Sequence, residues 1–207
     1  MGAQCCQGGL TMDVGDMLRS VSGGTPTPGG GAVGWIVLGQ GVALLRMVSN
    51  LTAKSKKWAS GHEVSKLILD TTEGFEIKAL EGFHSDCEAY ESVVSAYKIP
   101  QERDDRQSAI ESASLLAAEV PLRLMEMALE ASLLHVKLAG HHNKNADSDL
   151  VSSGLLLKAA AVIGSKNVQA NIPYLSPSDL STVNAEHKSI AESLGEVIPI
   201  ITGDGEL

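Results

Sequence analysis

Between residues 22 and 50 the chain passes from a glycine- and proline-rich loop directly into an apolar helical pattern that keeps glycine at Gly30, Gly34 and Gly41. Each glycine costs a helix about 1 kcal/mol against alanine. A helix that carries this cost needs another backbone packed where a side chain would stand. A second stretch, 149–169, repeats the device with Gly154, Ala161 and Gly164. Two such helices predict an all-α fold, an up-and-down-like bundle of long helices. Composition agrees: aromatic residues are only 3%, so the core is aliphatic and unlike that of a β-sandwich. No segment alternates with period two, and no repeat of 20–50 residues is present. We read 1–207 as one domain, with 1–11 and 203–207 frayed.

Along the chain, 12–22 predicts a short amphipathic helix with Met17, Leu18 and Val21 on one side. Residues 62–98 predict one long helix with an apolar seam of Leu80, Phe83, Cys87, Tyr90, Val94 and Tyr97, ended by Ile99-Pro100. Residues 101–139 are helical with a kink at Pro121. Ser148 or Asp147 is expected to cap the helix at 149–169, and Pro173 to close that region. Ser176-Pro177 reads as the start of a last helix to about 195.

The net charge of -9 disfavours a nucleic-acid partner. Three cysteines, Cys5, Cys6 and Cys87, in no metal-binding spacing imply a reducing, cytoplasmic setting. The start Gly2…Cys5-Cys6 resembles an acylated terminus, but Cys6 stands where the pattern wants Ser or Thr, so a frayed end is expected. No basic region precedes an apolar stretch, so no signal peptide is expected. The longest apolar run, Ala32–Leu45, falls short of the roughly 20 residues a bilayer needs, so a buried helix and no membrane partner are expected. His62, His84, His135, His141, His142 and His187 form no H-x-x-x-H pair; they read as surface histidines, with no metal site.

Gly29-Gly30-Gly31-Ala32-Val33-Gly34 satisfies G-x-G-x-x-G, yet no strand precedes it, which excludes a dinucleotide fold. No Gly-Lys-Ser/Thr follows, which excludes a P-loop. Glycines at a helix start leave free N–H groups suited to an anion or a carbonyl oxygen; a tight turn with close packing is the alternative.

Gly24-Thr25-Pro26-Thr27-Pro28-Gly29-Gly30-Gly31 resembles the glycine loop of the cyclodeaminase domain of formiminotransferase-cyclodeaminase, a family that includes stand-alone methenyltetrahydrofolate cyclohydrolases. In the same order follow Asn50-Leu51-Thr52 with Lys54, Lys56, Lys57 and Trp58, then Asp86 with Ala89-Tyr90 and Ala96-Tyr97-Lys98-Ile99-Pro100. Ala118-Glu119-Val120-Pro121-Leu122, Asn143-Lys144-Asn145-Ala146-Asp147-Ser148-Asp149, and Asn167-Val168 with Asn171 complete the series. Trp58 replaces the usual Tyr, the usual Gly before the lysines is missing, and 174–207 matches weakly. The resemblance implies a homodimer, or a higher homo-oligomer, with a folate site in a groove at or near the subunit interface. It implies closure of 5-formiminotetrahydrofolate to 5,10-methenyltetrahydrofolate with release of ammonia, and no cofactor beyond the folate. The formiminotransferase half is absent from these residues, so the formimino group is expected to be made elsewhere.

The reaction needs a proton carrier. Asp86, at the edge of the apolar seam, is the first candidate and Asp149 the second; a helix-joining hydrogen bond and first-turn helix stabilisation are their structural alternatives. For substrate binding, Gly29, Gly30 and Gly31 form the helix entrance. Lys54, Lys56 and Lys57 can meet the glutamates of a possibly polyglutamylated folate, or be solvated surface. Trp58 can stack on a ring or pack a rim. Asn143 and Asn145 can read the pterin edge or serve a turn. Lys98 can complement a helix dipole. The triglycine entrance and the 143–149 turn are expected to converge on one cleft. A cyclohydrolase, and a folate-binding or assembly protein without turnover, are the other readings.

Overall fold

The computed structural model describes residues 13–202, and every regular element among them is helical. The expected frayed ends, with Gly2, Cys5 and Cys6, lie outside the described residues. Helix α1 (Val14–Val21) is capped by the Asp13 carboxylate, which accepts from the Gly15 and Asp16 amides at 2.8 and 3.1 Å. None of its residues is buried: its predicted apolar side leaves Leu18 exposed, and only Met17 leans on the core.

Helix α2 (Gly30–Ala53) is the axis of the fold, and α6 (Asp147–Asn171) runs antiparallel beside it. The small residues act as expected. A Cβ on Gly34 would stand 2.7 Å from Ile163 and 2.8 Å from Leu124, and one on Gly41 3.1 Å from Leu157. Ser153 on α6 donates to the Gly41 carbonyl at 2.7 Å, a buried bond made across that close approach. Both α2 and the stretch Lys144–Tyr174 are long and apolar enough to cross a bilayer by length and composition. The α2 helix exceeds the 32–45 run because it continues through Arg46, Ser49 and Asn50, and 56% of its apolar window is buried by neighbouring helices.

A 3-10 turn (Lys56–Gly61) leads into α3 (His62–Thr71), which Arg46 ties to α2 by donating to the Leu69 carbonyl (2.8 Å) and the Thr72 hydroxyl (2.7 Å). The single helix predicted over 62–98 is broken. Gly74 takes φ 68°, a left-handed turn that starts α4 (Phe75–Tyr97). The seam of α4 also differs: Phe83 and Cys87 are fully buried, but Tyr90 and Tyr97 are 45% and 48% exposed, and the buried stripe is finished by Ala79, Gly82, Ala89 and Ala96.

Helix α5 (Arg106–Leu138) stays helical through the buried Pro121. It packs antiparallel to α6, where a Cβ on Gly164 would meet Met125 (2.8 Å) and the Pro121 carbonyl (3.0 Å). Neither Ser148 nor Asp147 caps α6. A 3-10 turn (Lys144–Ala146) precedes it, Ala146 is the boundary residue, and Asn143 caps the turn by accepting from the Asn145 amide. A 3-10 turn (Ile172–Tyr174) follows α6. Helix α7 (Pro177–Thr202) begins at proline as predicted but extends seven residues past 195, through Pro199, because Val197 and Ile201 bury against the bundle.

Candidate active site

The first turn of α2 receives an anion from the protein itself. Asp86, on α4, accepts a hydrogen bond from the Ala32 amide. Gly31 makes this possible, since a Cβ there would overlap the Asp86 carboxylate. Two effects oppose each other on this carboxyl. Burial disfavours the charged form and the Ala32 amide favours it; burial wins, and the pKa is pushed up to about 6.

Asp86 opens on a cavity of about 580 Å³ between α4, α5 and the C-terminal end of α6. Tyr90 and Tyr97 on α4, with Tyr174 after α6, give it aromatic walls. Asn167 and Asn171 stand one turn apart on α6. Their amide N–H groups donate to backbone: Asn167 to Ile163 at 2.8 Å, and Asn171 to Ala117 and Asn167 at 2.9 Å. Each keeps its Oδ1 as an acceptor. Ser114 also lines the cavity, and its buried Oγ has no hydrogen-bond partner among the described residues. A buried hydroxyl left unpaired is costly unless a ligand satisfies it.

The remaining sequence candidates gather at the other end of α2. Asn143 donates its amide N–H to Thr52 Oγ1 (2.9 Å) and its Nδ2 to the Leu51 carbonyl (3.5 Å). Its Oδ1 is taken by the Asn145 amide (3.0 Å), so this side chain is committed to the turn. Lys54 ends α2, exposed Lys56 opens the following turn, and Lys57 holds Nζ 5.0 Å from the half-buried Trp58 ring. Asp149 lies in the first turn of α6, and Lys98 ends α4. From Gly31 to Thr52 the helical rise is about 30 Å. Within one chain, therefore, the triglycine entrance and the 143–149 turn do not share a cleft, and Asp86 and Asp149 do not form a pair.

Two of the histidines expected at the surface are interior. His135 and His142 are 3% and 2% exposed. His135 Nε2 lies 2.8 Å from the Leu150 carbonyl, and burial pushes its pKa down. His142 Nε2 lies 2.9 Å from Asp147 Oδ1. Among the described residues, no three His, Cys, Asp or Glu side chains are grouped to hold a metal.

Comparison with known proteins decides the family. Residues 13–191 match the formiminotransferase-cyclodeaminase family. The chain belongs to that family. Methenyltetrahydrofolate cyclohydrolase of Methylorubrum extorquens is 31% identical over 158 residues, covering 74% of this chain and 76% of that protein. Formimidoyltransferase-cyclodeaminase of Gallus gallus is 25% identical over 187 residues, which are 87% of this chain but 34% of that longer protein. The crystal structure of formiminotetrahydrofolate cyclodeaminase from Thermotoga maritima matches with a TM-score of 0.85 and 26% identity, over 93% of this chain and 95% of that one.

In this member of the formiminotransferase-cyclodeaminase family, sequence reasoning found Asp86 and Gly31 but assigned no role to Ser114, Asn167, Asn171 or Tyr174. The available signals were the Asn167–Asn171 spacing of one helical turn and two tyrosines, Tyr90 and Tyr97, spaced seven residues apart. Ser114 gave no signal, since a serine within an apolar helix is ordinary.

Proposed function

We propose that the protein closes 5-formiminotetrahydrofolate to 5,10-methenyltetrahydrofolate and releases ammonia. Asp86 carries this reading: a carboxyl with its pKa near 6 faces an aromatic-walled cavity at a helix start. N10 attacks the formimino carbon and forms the new C–N bond. The formimino group reacts as its protonated amidinium, so attack leaves an NH2 group on the new carbon centre. N10 then loses its proton, the NH2 nitrogen gains it, and the C–N bond breaks with its electron pair as ammonia leaves the methenyl cation. A carboxyl titrating near 6 can take that proton and give it back. Tyr90, Tyr97 and Tyr174 offer faces to the pterin and p-aminobenzoyl rings, while the Asn167 and Asn171 oxygens accept from the pterin amide and amino groups. In this reading no cofactor beyond the folate takes part, and the work belongs to the cytoplasm.

The 31% identity to the Methylorubrum extorquens cyclohydrolase favours a second reading. There Asp86 takes a proton from water as its oxygen adds to the methenyl carbon, and returns it to N5 as the C–N5 bond breaks. The new hydroxyl loses its proton to solvent and the formyl group stays on N10. Purified protein offered each folate separately distinguishes the two. We expect ammonia release with appearance of the methenyl absorbance; loss of that absorbance from methenyl-folate without ammonia chemistry selects the hydrolase. Turnover of neither substrate overturns both.

A homodimer belongs to the same proposal. Positions 33, 37, 40, 44, 47 and 51 share one face of α2, and Met47 and Leu51 there are 37% and 41% exposed. On neighbouring α6, Leu155 and Val162 are 49% and 48% exposed. A twofold axis across the middle of this apolar face would set the Asp86 end of one α2 against the partner's Lys54–Trp58–Asn143 end, completing the cleft that one chain leaves divided.

A further inference from the structure

A second cavity, about 290 Å³, lies on the same α4–α5 seam toward the start of α4. Its walls include Lys78, Glu81, Gly82 and Ser85 on α4, Arg123 on α5 and Trp35 on α2. The two cavities are consecutive. On α4, Ser85 lines one and Asp86 the other; on α5, Val120 lines one and Ala117, a single turn away, the other.

Two cations meet one carboxylate here, in a chain whose net charge is -9. Neither Lys78 nor Arg123 has an ion-pair partner among the described residues, Glu81 included. Trp35 is 3% exposed, yet its indole N–H has no acceptor among the described residues. Gly82 keeps the indole in place, because a Cβ there would overlap its ring. An ammonium, a guanidinium and a serine hydroxyl outweigh the single Glu81 carboxylate in this lining, and the ligand that suits such a set is an anion with several oxygens. Lys78 lies eight residues before Asp86 on one helix, about 12 Å along its axis, so a ligand reaching both is elongated.

We infer that this lobe takes the glutamyl carboxylates of the folate tail, with the pterin and its one-carbon unit lying by Asp86. The inference rests on the folate reading above and assigns the tail to Lys78 and Arg123, in place of the lysines at 54–57.

The test titrates p-aminobenzoate, N-(p-aminobenzoyl)glutamate and its triglutamyl form into wild type, Lys78→Ala and Arg123→Ala by calorimetry. Kinetics with mono- and triglutamyl substrates run alongside, and thermal melts confirm folding. Each variant should weaken both glutamyl conjugates about tenfold and leave p-aminobenzoate unchanged. The kinetic loss should fall on KM rather than kcat, with Arg123→Lys recovering part of it. Equal weakening of p-aminobenzoate, or no weakening of the conjugates, overturns the lobe. Free glutamate or inorganic phosphate binding as tightly as the conjugates also overturns it, as an isolated anion site. Wild type that binds conjugates through Lys78 and Arg123 but turns over neither folate rejects the enzymatic reading and retains the lobe. Turnover that ignores both substitutions does the reverse.

Discussion

Asp86 is held in a position that weakens the fold and serves chemistry. Its folded-state pKa is raised from 3.8 to about 6. Between those values the folded protein keeps a proton that the unfolded chain releases, so stability falls as pH rises through that window. The full difference is about 3 kcal/mol. Asp86→Asn keeps an acceptor for the Ala32 amide and removes the buried charge. Urea unfolding at pH 8 should therefore show the variant equal to wild type or more stable by up to about 3 kcal/mol. The gap should close near pH 4. A carboxylate that merely joined helices would give the opposite sign. The sequence placed Asp86 beside an apolar seam, and burial follows from that. The Ala32 bond was not legible, because it depends on the crossing of two helices that brings together residues 54 positions apart.

Within α2, three glycines that look alike in sequence have different physical roles. A Cβ on Gly30 meets nothing within 4 Å, one on Gly31 overlaps Asp86, and one on Gly34 presses on Ile163 and Leu124. Gly30→Ala should stabilise the protein by about 0.5–1 kcal/mol through helix propensity. Gly34→Ala should destabilise it by about 1–3 kcal/mol by overpacking. Gly31→Ala should displace the carboxylate and depress kcat without unfolding the chain. Denaturant midpoints and turnover rates on the three variants check this ordering. The helical character of the elements was legible from their periodicity, as was the close approach of α2 and α6. The break at Gly74 was not, since a lone glycine is tolerated inside a helix until neighbours make the turn worthwhile. The length of α7 beyond about 195 was not legible, because burial of Val197 and Ile201 against the bundle carries the helix onward.

At the scale of the whole molecule, α2 divides the residues that the family resemblance selected into two groups about 30 Å apart. Order along the chain identified both groups but carried no information on their separation, which depends on how far a 24-residue helix extends. A twofold dimer across the apolar face of α2 reunites them and yields a distinct prediction. Asp86→Asn and Trp58→Ala proteins, each impaired alone, should regain activity when unfolded together and refolded. Random pairing leaves one intact site in half of the dimers, so recovery should approach about a quarter of wild type. Sedimentation of Met47→Glu should show monomers.

The account depends above all on Asp86 being the proton carrier of a folate reaction. The pH profile of kcat/KM for ammonia release from 5-formiminotetrahydrofolate, measured on wild type and Asp86→Asn, tests it most directly. The account predicts a wild-type rate that rises as pH passes about 6 and a variant slower by about 10²–10⁴-fold without that limb. A variant that matches wild type in rate, with the limb near pH 6 intact, would contradict it.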